Sequence, residues 1–162
     1  MEYHPVVQRI KTLLETEGVW LETFEHTPVR TSEEAAKLRE GYSLKEGAKA
    51  IIVRVKVKGG SKYFAMLVIP GDQRFNVDKV IKLLKAKDIR FANESEVKQI
   101  TGGVESGGVP PFGNLFDLKV IVDPSLFRNK RIVFNAGDRR FSVAMNSSDY
   151  KKIVQPTIES IV

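Results

Sequence analysis

The stretch Ala48-Lys49-Ala50-Ile51-Ile52-Val53-Arg54-Val55-Lys56-Val57-Lys58-Gly59-Gly60-Ser61-Lys62-Tyr63-Phe64-Ala65-Met66-Leu67-Val68-Ile69 decides the fold. Side chains alternate between the two faces of a strand. Residues 48–58 read that way, with Ile51, Val53, Val55 and Val57 on one face and Arg54, Lys56 and Lys58 on the other. Gly59-Gly60 supplies a tight turn, and residues 62–69 run back as a second strand. Pro70-Gly71-Asp72 ends the hairpin.

Working outward toward the N-terminus, Thr31 and Glu34 form a capping box for a helix reaching Leu38. Residues 20–25 alternate like a short strand. A first helix starts at Pro5, a favoured first-turn residue. Its face is Val6, Val7, Ile10, Leu13 and Leu14, and Gly18 suits its C-terminal cap.

Toward the C-terminus, the spacing of Val80, Ile81, Leu83 and Leu84 predicts a helix over 78–87. Asn93 and Glu96 make a second capping box before Val97 and Ile100. The glycine-rich stretch 101–113 follows. Strands are expected over 118–122, 131–135 and 140–145, the last two joined by a turn at Ala136-Gly137-Asp138-Arg139. Ser147 or Ser148 caps a final helix that Pro156 bends or interrupts. Hairpins mixed with helices indicate an α+β fold. The 162 residues suit a single domain over 1–162.

Composition removes several chemistries. There is no cysteine, which excludes disulfides, thiolate catalysis and cysteine zinc sites. Two histidines cannot build a His-rich metal centre, and no acidic spacing resembles a calcium loop. Neither a Walker A sequence nor a dinucleotide-binding glycine fingerprint occurs. No metal or cofactor is therefore expected. No apolar run approaches the roughly 20 residues that span a bilayer, and the start lacks a signal-peptide pattern. A cytoplasmic location without membrane contact is expected. The net charge of +6 and pI near 9.5 favour a polyanionic partner.

Lys49 opens the first hairpin strand, where an ammonium can project into a cleft and hold a phosphate or carbonyl oxygen. On position alone, a solvated lysine is the plainer reading. In Gly102-Gly103-Val104-Glu105-Ser106-Gly107-Gly108-Val109-Pro110-Pro111-Phe112-Gly113, glycines permit close backbone approach and prolines stiffen the chain. Such a loop either orients backbone N–H groups toward a ligand or simply connects a helix to a strand. His26 reads as a general base, a base-edge reader or, more plainly, a structural group beside a turn. Lys79, Lys82, Lys85 and Lys87 form either a tRNA-facing patch or a solvated helix face. Asn146-Ser147-Ser148 matches a glycosylation sequon but reads better as a helix cap.

Several of these pieces, in this order, resemble the YbaK/ProX family of aminoacyl-tRNA deacylases. They are Glu25-His26-Thr27-Pro28 with residues 31–36, Gly47-Ala48-Lys49, the 107–113 loop, Asn135-Ala136-Gly137 and Phe141-Ser142-Val143. That family includes free-standing editing proteins and the editing insertion domain of bacterial prolyl-tRNA synthetases. The resemblance covers residues 6–153. It implies a curved mixed β-sheet, nearly a barrel, flanked by helices, with a cleft between the lysine and the glycine-proline loop. Lys49 matches the family's key lysine, and Gly107 and Pro111 match the ends of its Gly-x-x-x-Pro signature.

The resemblance assigns catalysis to Lys49 and Gly107. It assigns substrate binding to Phe24, His26, Gly108, Val109, Pro110, Pro111, Phe112, Gly113, Asn135 and Ser142. Phe24, Ile52, Met66 and Val109 are expected as pocket walls. Asn135 stands where several members have Ser, Ser142 where several have Asp, and Phe24 where some have Tyr. The implied reaction is metal-independent hydrolysis of the ester of a mischarged tRNA, carrying Ala, Cys or Ser, on tRNA-Pro among others. The ribose 2′-hydroxyl or a substrate thiol assists in place of a protein base. A synthetase is a further implied partner. Such editing is needed because a pocket gains only about 1–3 kcal/mol from one methylene and so mischarges small analogues. The rival is a non-catalytic tRNA- or synthetase-binding module of the same fold, with hydrolysis lost through the departures at Asn135 and Ser142.

Overall fold

A computed structural model describes residues 2–29 and 31–162. Pro5 opens α1 (Pro5–Thr16), and the His4 ring Nδ1 accepts the Val6 N–H at 3.1 Å, satisfying an otherwise orphaned donor. Gly18, with φ +68°, turns the chain out of that helix and into β1 (Leu21–Glu25). The Thr31 hydroxyl accepts the Glu34 N–H and starts α2 (Ser32–Leu38). The hairpin follows as β2 (Ala48–Val57) and β3 (Lys62–Pro70), with Gly59 and Gly60 at φ +96° and +91° in its turn. Then come α3 (Val77–Leu84), β4 (Ala86–Phe91) and α4 (Glu94–Thr101), the last opened by a reciprocal Asn93–Glu96 capping box. The chain ends with β5 (Lys119–Val122), β6 (Arg131–Asp138), β7 (Phe141–Asn146), α5 (Ser147–Val154) and β8 (Thr157–Ile158).

The strands form two sheets. One is antiparallel in the order β1-β7-β6; the other is mixed in the order β4-β2-β3-β5-β8. In the second, β2 pairs antiparallel with β3 and β4, whereas β3–β5 and β5–β8 are parallel. A single bridge from Gly47 to Val133 links the sheets at the start of β2. The expected α+β class and mixed sheet are therefore present, but the sheets remain separate and do not close toward a barrel.

The alternation along β2 divides the interior. Ala48 and Ile52 enter a large core shared with α1, α5 and the antiparallel sheet. Val53 and Val55 enter a second core under α3, with Leu67, Ile69 and Val80. Each fully buried Val or Ile contributes about 1.5–3 kcal/mol, and a one-residue slip of β2 would turn Arg54 and Lys56 toward the second core in place of Val53 and Val55. This pins the register of Lys49, which lies opposite Ile69.

Three local expectations need correction. The helix expected over 78–87 stops at Leu84, because Lys85 takes a left-handed φ of +52° and the chain turns into β4. Alternation of Asp88, Ile89 and Arg90 is the strand signal there, with Ile89 in the second core. The turn expected at 136–139 falls later. Gly137, at φ +112°, forms a bulge within β6, and α1 packs so closely there that a Cβ would lie 2.7 Å from Val6 Cγ1. Asn146, not a serine, occupies the N-cap of α5, and the Ser147 hydroxyl instead donates to the Asn129 carbonyl at 2.6 Å. Among the described residues, no helix is long and apolar enough to cross a membrane.

Candidate active site

A cleft of about 580 Å³ opens where α2, the first half of β2 and the 106–109 turn face one another. This is the size of an ordinary small-ligand site. Ala35, Ala36 and Arg39 form the α2 wall, residues 47–52 a second, and Ser106, Gly107 and Val109 a third. Asn135 and Arg139 back the third wall, and Phe91 borders the cleft. Lys49, Gly107, Val109, Asn135 and Ile52, all expected at the site, thus line one cavity.

Lys49 is half-buried, and its ammonium donates to the carbonyl of Gln73 at 2.8 Å on the solvent side. Desolvation holds its pKa below the ordinary lysine value; Glu33 opposes this, Arg74 adds to it and Asp72 opposes it. An ammonium carries three hydrogens, so it has donors beyond the one given to Gln73. It can therefore hold a phosphate or polarise a carbonyl.

The glycine loop divides in two. Its first half faces the cleft. The Gly107 carbonyl accepts from Asn135 Nδ2 at 2.7 Å, and the Gly108 N–H donates to the Glu105 carbonyl at 2.8 Å. Arg139, paired with Glu105, lies against Gly107. Its second half does not contact the cleft. Phe112 is fully buried against Phe134 and Tyr150, the Tyr150 hydroxyl donates to the Pro111 carbonyl at 2.6 Å, and Gly113 packs on Val120. Pro110, Pro111, Phe112 and Gly113 are thus an anchor rather than the expected substrate contacts. The cause is their apolar surface, which the core takes up. Gly108 lines a separate, smaller cavity beside His4 and Asp138.

Phe24, His26, Ser142 and Met66 also stand outside the cleft lining. Phe24 meets Tyr42 edge-on, and Met66 is sealed in the core beneath β2. His26 Nε2 lies 2.7 Å from Ser142 Oγ, a distance that suits a nucleophile and its base. Ser142 is 0% exposed, however, so no ester carbon can reach its oxygen. His26 Nδ1 sits 2.8 Å from the Thr27 carbonyl, which requires a proton on Nδ1. The Ser142 hydroxyl donates to Asn135 Oδ1 at 3.1 Å. The pair is a support behind the cleft wall. Lys79 donates to the terminal Val162 carbonyl at 2.7 Å, so at least this member of the lysine cluster fastens the chain end.

Arg39 was not marked by any sequence pattern. It is 6% exposed and donates from Nε to Ser142 Oγ at 3.0 Å and from Nη2 to Asn135 Oδ1 at 2.9 Å. Burial brings its pKa down to about 10, leaving it charged at neutral pH. Only its position at the end of a short amphipathic helix hinted at burial. Among the described residues, no cluster of three or more acidic or imidazole groups is placed to hold a metal ion.

The geometry agrees with the relatives of the chain. Residues 26–153 match the model of the aminoacyl-tRNA editing domain. The chain is 33% identical, over 93% of its length and 89% of the relative's, to the multifunctional Ser/Thr-tRNA deacylase ProXp-y of Escherichia coli K12. It is 35% identical to a segment of the proline–tRNA ligase of Lactobacillus acidophilus, over 53% of this chain and 15% of the ligase. A solved structure of a candidate trans-editing enzyme for prolyl-tRNA synthetase superposes with a TM-score of 0.81 at 23% identity, covering 99% of this chain and 98% of that one. With its family match spanning most of its length and its cleft built around Lys49 and the glycine loop, this chain belongs to the aminoacyl-tRNA editing domain family.

Proposed function

We propose that this protein hydrolyses, in trans, the ester joining a small amino acid to the terminal ribose of a mischarged tRNA. The observation that carries the reading is that Lys49 and Gly107 line the same cleft in a chain of the editing family. Serine and threonine are the foremost amino acids. The E. coli relative is a Ser/Thr-tRNA deacylase, and the cleft wall bears the polar groups of Arg39 and Asn135. Alanine and cysteine fit the same space. The similarity to a segment of proline–tRNA ligase supports tRNA-Pro as one carrier and a synthetase as an associated partner.

In this reading, water adds to the ester carbonyl carbon. The bond from that carbon to the ribose oxygen breaks, and a proton passes to the departing oxygen through the neighbouring ribose hydroxyl. Free amino acid and tRNA leave. Lys49 acts as a cation on the phosphate or carbonyl, not as a base. Gly108 is already bonded within the loop, so the developing oxyanion falls to the other backbone N–H groups around Gly107. One such donor is worth about 3 kcal/mol in the transition state. His26 is held behind the wall and takes no part in proton transfer. The test is amino-acid release from purified Ser-, Thr-, Ala- and Cys-tRNA, with Pro-tRNA-Pro as the correctly charged control. Release from at least one mischarged tRNA is expected, and release from none refutes the reading.

A further inference from the structure

Arg39 presents an electrostatic problem that its own neighbours do not solve. A guanidinium is almost never buried without a carboxylate. Here the side chain is 6% exposed, yet its hydrogen-bond partners are a hydroxyl and an amide, Ser142 and Asn135. Both are neutral. Lys49, by contrast, feels Glu33 and Asp72. Two donor positions of Arg39 remain: the Nη1 amino group and the second hydrogen of Nη2, neither of which has an acceptor among the described residues. Nη1 is not sealed in protein either. Among the described residues, the buried side-chain nitrogen without a partner is Arg54 Nε, and Arg39 lines the cleft. Its free edge therefore meets whatever fills that space.

We propose that Arg39 is a specificity-determining residue that donates a hydrogen bond to an oxygen on the side chain of the amino acid being removed. The inference rests on the deacylase reading and deepens it. A cation repels the α-ammonium of an aminoacyl group, so that group turns elsewhere. The polynucleotide must run back to solvent, so the part of the substrate that reaches a guanidinium this deep is the aminoacyl end. A side-chain hydroxyl accepts from Nη1. An alanine side chain offers nothing and leaves the donor without a partner other than trapped water. Sites built to bond a hydroxyl discriminate strongly for that reason. The fork of Arg39 is fixed by Ser142 and Asn135, and Asn135 also holds Gly107. The residue that reads the side chain is thus joined to the loop that faces the ester.

The test compares serine with alanine in two ways. The first is kcat/KM on Ser-, Thr- and Ala-tRNA for the wild type, Arg39→Met and Arg39→Lys. The expected loss in Arg39→Met is about 10–100-fold for Ser and Thr and under about threefold for Ala. Arg39→Lys, which keeps charge but not the fork, falls between. The serine-to-alanine ratio within one preparation is insensitive to a partly unfolded fraction. Should Arg39→Met fail to fold, the Arg39→Lys ratio decides. The second is binding of non-hydrolysable 3′-seryl- and 3′-alanyl-amidoadenosine to the wild type, read by calorimetry; the seryl compound is expected to bind at least about tenfold tighter. This arm stands even if no tRNA is hydrolysed, an outcome that would refute the deacylase reading alone. Equal losses on all three tRNAs, no loss on any, or equal or absent binding of the two analogues would overturn the role of Arg39.

Discussion

Asn135 ties the glycine loop to the interior wall of the cleft: its Nδ2 donates to the Gly107 carbonyl at 2.7 Å. Its Oδ1 meanwhile accepts from Arg39 at 2.9 Å. One amide therefore fixes two sides of the cavity. Asn135→Ala removes both bonds. A stability loss of about 1–3 kcal/mol is expected, together with a larger relative loss in kcat/KM, about 10–100-fold, because small misplacements of reacting groups are costly. Denaturant melts alongside deacylation kinetics check this; a stability loss with unchanged kinetics would detach Asn135 from the chemistry.

Two glycines should respond oppositely to alanine. At Gly107 the added Cβ meets only the flexible Arg139 side chain, at 3.0 Å, and the backbone is not among those at positive φ. Gly107→Ala should keep its melting temperature within a few degrees yet lower kcat/KM, since the methyl narrows the cleft. At Gly137 the φ is +112° and the Cβ would lie 2.7 Å from Val6. Gly137→Ala should destabilise by more than about 1 kcal/mol. Thermal melts of the two variants, side by side, make the comparison.

The buried half of the loop should matter to folding alone. Phe112→Ala is expected to cost about 3–5 kcal/mol, and Tyr150→Phe, which leaves the Pro111 carbonyl without its donor, about 1–3 kcal/mol. Active-site titration of the folded fraction should return an unchanged KM for Tyr150→Phe. A raised KM would restore Pro111 to the substrate-binding surface.

Acid should loosen the junction of α1 with the β6–β7 turn. Hydrogen bonds from Arg140, then from backbone N–H groups including that of His4, hold the Asp138 carboxyl down at about 2, against an ordinary 3.8. A depressed folded-state pKa gives stability that is present above the unfolded value. It disappears as pH falls from about 4 toward about 2. Asp138→Asn should be less stable than wild type at neutral pH, and the difference should shrink across that window. Urea midpoints measured at intervals of pH report it.

The hairpin 48–70 was legible because each face of β2 meets a separate apolar core, so alternation and burial agree. Caps at Thr31 and Asn93 were legible because they are local chemistry. β4 was hidden because Val80, Ile81, Leu83 and Leu84 carry a helical period almost to its first residue, and only the left-handed Lys85 marks the break. At the site, Lys49 and Gly107 came from the family pattern. The same pattern could not separate Gly107 and Val109, which face the cleft, from Phe112 and Gly113, which face the core, because all four belong to one glycine-proline loop. Arg39 and its neutral partners were invisible, since residues 39, 135 and 142 meet only where the Arg39 side chain, just past the end of α2, reaches β6 and β7.

If the protein is a deacylase, the aminoacyl ester is cleaved in the cleft between Lys49 and Gly107. Single-turnover deacylation of Ser-tRNA by the wild type and by Lys49→Ala, with folding verified by circular dichroism, tests it most directly. Rapid release by the wild type is expected, with a rate lower by about 10²–10³-fold in the variant. Release by a folded Lys49→Ala protein at the wild-type rate would contradict it.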